Sequence, residues 1–215
     1  MIDLYCERVG TGLFAEPLNA VSNLAFLIAA FISWQDVKQL QAPGGNLFLI
    51  PVLMAVTGLG SLLFHLLANP SSQVADLVAL LLFQLAYLWL YLQRTELLNT
   101  TPRIIFITLF LLSVFYLSLF QQYMNGSLLY LPTLLVLLGL GIYHASTGRP
   151  GTRVIVLATL FFLTALIART VDIAVCATWP VGTHFLWHIL NAMVMVMMFR
   201  VLLIQKQQSD DTHKR

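Results

Sequence analysis

Seven separate stretches of this chain are each long and apolar enough to cross a lipid bilayer, and no other feature limits its fold so tightly. A spanning helix needs roughly 20 mostly apolar residues to match the hydrocarbon core. The stretches fall at 17–35, 46–68, 74–93, 104–120, 127–146, 153–175 and 184–204. Polar or helix-breaking turns separate them, at Gln41 to Gly45, Asn69 to Ser72, Asn99 to Pro102, Asn125-Gly126, Gly148 to Gly151 and Thr178 to Pro180. The fourth stretch is short and the weakest of the set. Composition closes off a soluble alternative, because 9% of the residues are charged, against about 25% in soluble domains. The expected fold is all-α: an integral seven-helix bundle over 17–204, an N-terminal segment at 1–16 and a polar tail at 205–215. The opening MIDLYCERV lacks the pattern of a cleaved signal peptide, so the first span is expected to remain. A net charge of +2 gives no reason to expect a nucleic-acid partner.

Basic residues in short loops mark the cytoplasmic side. With the N-terminus outside, the inner side holds Lys38, Arg94, Arg103, Arg149, Arg153, Arg200, Lys206, Lys214 and Arg215, nine of the eleven lysines and arginines. Arg8 stays outside and Arg169 lies within span six. The reading is therefore N-out and C-in, in a plasma or bacterial inner membrane, since no retention signal such as KDEL closes the chain.

An ionisable group inside a span is costly and marks a functional candidate. His213 belongs to the polar tail, and His144, beside the Gly148–Gly151 loop, reads as an interfacial residue. The others converge. Span two ends outside at His65, span three begins outside near Asp76, and span seven begins outside with His184-Phe185-Leu186-Trp187-His188. Three helices thus bring these residues to one depth near the extracytoplasmic face. His184 and His188, four apart, share a helix face. A third histidine completes the three-ligand set of a catalytic zinc site, which leaves a position for water whose pKa falls to about 7. Asp76 is the candidate general base. Ser61, one turn deeper than His65, could hydrogen-bond a developing oxyanion. The competing reading of the pair is an interfacial aromatic belt or a helix–helix hydrogen bond.

Ser61-x-x-x-His65, Asp76 and His184-x-x-x-His188 together resemble the CREST superfamily of alkaline ceramidases, adiponectin-receptor-type proteins and GPI-anchor remodelling lipases. Tyr5-Cys6-Glu7, Glu16-Pro17-Leu18-Asn19-Ala20-Val21-Ser22-Asn23 and Trp187-His188-Ile189-Leu190-Asn191 are similar to the alkaline ceramidase branch. The resemblance runs from residue 5 to 191. It implies zinc on His65, His184 and His188, water handled by Asp76, support of the transition state by Ser61, and hydrolysis of the ceramide amide to a sphingoid base and a fatty acid. It also implies an N-terminal calcium site. Glu7 and Glu16 match that site, but Leu4 and Val9 stand where an aspartate and an asparagine are wanted, so a solvated acidic segment is the competing expectation.

Cys6 and Cys176 both fall outside, where a disulfide can persist; two buried thiols are the alternative. Arg169 and Asp172, three apart near the outer end of span six, read as an ion pair, or with Asp172 accepting a proton from a ligand imidazole. Met193, Met195, Met197 and Met198 would suit an acyl-chain groove, though packing methionines are commoner. Two rival functions keep the same bundle: a zinc esterase or phospholipase, and a receptor-type protein with structural zinc. Ser61 and Asp76 speak against the receptor, because a closed structural site needs no carboxylate to activate water. The expected partners are the bilayer and a lipid substrate. The number of copies in an assembly is not legible.

Overall fold

The computed structural model describes residues 2–40, 45–95 and 97–213, with side chains through residue 205. The expected turn at Gln41–Gly44 and the tail residues Lys214 and Arg215 lie outside the described residues, as do the side chains of Lys206 and His213. Helices are the regular secondary structure of the described residues, with no strand among them. Seven helices are long and apolar enough to span a membrane: Pro17–Lys38, Asn46–Leu67, Pro70–Arg94, Thr100–Ser118, Met124–Thr147, Thr152–Val171 and His184–Gln205. Numbered in chain order, they coincide with the seven apolar stretches, and the last helix continues to His213.

The ends differ from expectation where capping chemistry intervenes. Asn69-Pro70-Ser71-Ser72 is the start of span three and not a turn before it. The Asn69 side chain accepts from the Ser72 backbone N–H at 2.9 Å, and Ser72 Oγ accepts from the Asn69 N–H at 3.2 Å. That reciprocal box, with Pro70 in the first turn, starts the helix four residues early. Span six stops at Val171, and the chain tightens into a 3-10 turn at Ile173–Val175. Span one is broken after Ser22, where the Asn23 side chain bonds back to the Asn19 carbonyl at 2.8 Å.

Span seven packs against spans one, three and six and is the most enclosed of the seven. Span four sits at the edge. Phe110 is its one buried residue, and Leu109 and Phe115 are 60% and 65% exposed. Such apolar surface would be a liability in water but suits contact with acyl chains. Two glycines set how closely span two approaches its neighbours. A Cβ at Gly58 would stand 2.8 Å from the Phe26 Cβ on span one. One at Gly60 would stand 3.2 Å from the Ala75 carbonyl oxygen and 3.4 Å from the Asp76 Cα on span three. Small residues permit this backbone contact in membrane bundles. It brings Ser61 and Asp76 face to face.

Candidate metal centre

His65, His184 and His188 come from spans two and seven, and each is about 1% exposed. One nitrogen from each lies within 4.8 Å of the others. The side of each ring facing away from the cluster decides what the inner side can do. His65 Nδ1 meets Glu16 Oε2 at 2.6 Å, and His188 Nδ1 meets Ser22 Oγ at 2.7 Å. Ser22 Oγ already donates to the Asn19 carbonyl at 2.8 Å, so toward His188 it accepts. Both Nδ1 atoms therefore carry the proton in neutral imidazoles, which leaves both Nε2 atoms with a lone pair. Those Nε2 atoms face each other at 3.2 Å. Two lone pairs at that distance repel unless a cation stands between them. The third ring, His184, has a buried Nδ1 with no hydrogen-bond partner among the described residues. Three imidazoles with two oriented from behind fit a zinc ion that keeps an open position.

The N-terminal segment is built into this cluster. Tyr5 stacks on the His184 ring at 3.6 Å, 13° from parallel, and lies 5.3 Å from the His65 ring. Arg8 pairs with Glu16 and donates to the His65 carbonyl at 2.8 Å. Burial tends to raise the Glu16 carboxyl. Its hydrogen bond and charge interaction with His65, the Asn19 hydrogen bond and the Arg8 charge outweigh that and hold it below the usual carboxylate range. Burial pushes the Tyr5 phenol up despite the nearby Arg169 charge, so it stays protonated.

Asp76 lies on the neighbouring helix within electrostatic reach of His65 and Arg169, and Ser61 is its side-chain hydrogen-bond partner. The Ser61 hydroxyl thus points at the carboxylate. The spacing suggested an oxyanion instead, because it could not show how closely Gly60 lets span three approach.

Two expectations change. Calcium does not fit: Glu7 accepts the Leu18 and Asn19 N–H groups at 2.7 and 2.8 Å, capping the first helix, while Glu16 serves Arg8, Asn19 and His65. The guanidinium supplies the positive charge that an oxygen cage would have bound. Asp172 pairs with neither Arg169 nor an imidazole. Its carboxylate accepts the backbone N–H groups of Cys6, Thr183 and His184 at 2.8, 2.6 and 2.9 Å, so it places His184 by capping span seven. Gly182 makes room for that cap, since a Cβ there would stand 2.2 Å from Asp172 Oδ1. His144, in the last turn of span five beside the Gly148–Gly151 loop, is fully buried and hydrogen-bonded to Tyr91 Oη and the Pro150 carbonyl. Cys6 and Cys176 are disulfide-bonded, with Cα atoms 5.4 Å apart.

Nothing in the spacing pointed to Ser22, Tyr5 or Arg8. One signal was available: Glu16, Asn19, Ser22 and Asn23 form a polar run at the start of an apolar span, and polar groups there need buried partners. Glu16→Gln is expected to weaken metal affinity by roughly 10- to 100-fold, the usual effect of losing the group behind a ligating histidine. Competition with a calibrated zinc chelator measures it, and unchanged affinity would remove Glu16 from the centre.

Seven spanning helices around a buried cluster of three imidazoles define a membrane protein able to hold a metal at one end of its bundle. The chain belongs to the ceramidase family, whose model, described as Ceramidase, matches residues 3–215. That membership implies a membrane-embedded hydrolase with a lipid substrate. A search of curated proteins found no match.

Proposed function

We propose that this protein is a zinc-dependent hydrolase that cleaves the amide bond of a ceramide-like lipid within the membrane, releasing a sphingoid base and a fatty acid. The observation that carries the reading is the facing pair of Nε2 lone pairs of His65 and His188, 3.2 Å apart beside His184. Zinc held by these three residues would supply a Lewis acid and a water of lowered pKa. Asp76 takes the proton of the attacking water and returns it to the departing amine nitrogen. Ser61 holds that carboxylate in line through its hydroxyl. Tyr5 and Phe64 wall the cluster from bulk water, keeping the local dielectric low. The positive-inside pattern of the loops supports an extracytoplasmic position for this end of the bundle.

Two features favour a lipid substrate. An apolar cavity of about 320 Å³ opens between spans five and six, bounded by Leu128, Leu131, Leu163 and Ile167. A smaller apolar cavity of about 60 Å³ lies deeper, with Met195 and Met198 in its wall beside Tyr87 and Phe110. Family membership favours the amide over the ester. Purified protein given ceramides and phospholipids side by side, with products read by mass spectrometry, is expected to release a sphingoid base. Fatty acid released from the phospholipids alone would replace the reading with an esterase.

A further inference from the structure

Arg169 is a buried cation on which Asp76 acts only at longer range. It is 8% exposed, and among the described residues no carboxylate lies within ion-pair distance of it. Its guanidinium carbon sits 5.4 Å from each of three rings, Tyr5, Tyr130 and Trp187, and Nη1 donates to the Tyr5 hydroxyl at 2.7 Å. Aromatic faces lower the cost of burying a cation but bring no opposite charge. Its Nε is buried without a hydrogen-bond partner among the described residues. Nη2 lies 3.3 Å from where a Gly126 Cβ would stand, and Gly126 holds a left-handed turn with φ of 75°. A side chain there would cover the guanidinium.

Arg169 and Gly126 line a cavity of about 60 Å³ with Asp76, Gln73, Gln121 and Asn125. A water needs roughly 10–15 Å³ of such space, so the cavity has room for a small polar group or a few waters. Its wall offers one cation and several amides, and Asp76 stands on the same wall. We propose that this cavity is the binding site for the carboxylate of the released fatty acid, with Arg169 as its anchor.

The chemistry follows from the hydrolase reading, on which this proposal rests. The acyl carbon–nitrogen bond breaks, the water oxygen bonds to the acyl carbon, and the nitrogen gains a proton. The new acid loses its proton to the amine, which leaves a carboxylate and an ammonium. The neutral substrate offers Arg169 only a carbonyl dipole. The product offers it a full charge, so Arg169 discriminates product from substrate and makes fatty-acid departure sensitive to that contact.

Calorimetric titration of the full-length protein in detergent with dodecanoic acid, dodecanol and dodecyl phosphate tests this. Wild type is expected to bind the acid roughly tenfold or more tightly than the alcohol, as a charge-assisted hydrogen bond requires. Arg169→Gln should bring the acid to the level of the alcohol and leave alcohol binding unchanged. Arg169→Lys should keep part of the preference. Equal binding of acid and alcohol by wild type overturns the proposal whether or not the variants fold. An acid preference that survives Arg169→Gln also overturns it, by placing the carboxylate elsewhere, such as on the metal. Tighter Arg169-dependent binding of the phosphate would assign the cavity to lipid headgroups instead of product. A parallel assay of fatty-acid release separates the two readings. Hydrolysis with no acid preference removes the product site alone, whereas acid preference without hydrolysis of any acyl lipid leaves the site and removes the hydrolase.

Discussion

His188→Ala is expected to purify without bound metal and to release no fatty acid from any lipid. His188 supplies one of the two lone pairs that meet at 3.2 Å, and its Nδ1 is anchored by Ser22 on span one. Alanine leaves two imidazoles on different helices, too few for the three-ligand set of a catalytic zinc. His65→Ala and His184→Ala should behave alike, with the added effect in His65→Ala that Glu16 loses its hydrogen-bonded partner. Metal analysis of the purified variants is the measurement. One zinc per chain in the His188→Ala protein would sink the ligand set. Far-UV circular dichroism alongside it checks that the bundle remains.

Asp76→Asn is expected to keep the metal and lose roughly 100-fold or more in turnover, because an amide has the shape of the carboxylate but cannot accept the proton of water. Ser61→Ala should lower turnover by roughly 10- to 1,000-fold, whether its hydroxyl steadies Asp76 or later turns to an oxyanion. The double variant separates those roles. If Ser61 acts only through Asp76, its loss should cost little once Asp76 is already asparagine. Near-normal turnover in Asp76→Asn would remove the aspartate from the proton path.

Position along the bundle was legible because bilayer thickness imposes a one-dimensional rule on the chain. Span lengths, and the cost of a charge inside a span, were enough to select His65, Asp76, His184 and His188 and to put them at one end of the bundle. Lateral arrangement was not legible. Arg169 and Asp172 lie one helical turn apart, so spacing alone paired them. The structure turns Asp172 to three backbone N–H groups and Arg169 to three aromatic rings. The burial of His144 was not legible either. Its partner Tyr91 lies on another span, in a run that reads as apolar. The N-terminal segment was the hardest to read, since its order comes from partners such as Asp172, 166 residues from Cys6.

That segment has a consequence for how the protein is made. Cys6 meets Asp172 and Ser22 meets His188, each across 166 residues. Synthesis at about 5–20 residues per second separates the arrival of those partners by about 8–33 seconds. Over that interval Glu16, Asn19 and His65 are already in or near the bilayer, while His188 and the Asp172 cap do not yet exist. The half-made protein already pairs Glu16 with Arg8, Asn19 and His65, but Ser22 and the Cys6 N–H wait for His188 and Asp172. A chain that ends before span seven therefore keeps the Glu16 network but lacks the groups that orient the Cys6 and Ser22 ends of the N-terminal segment.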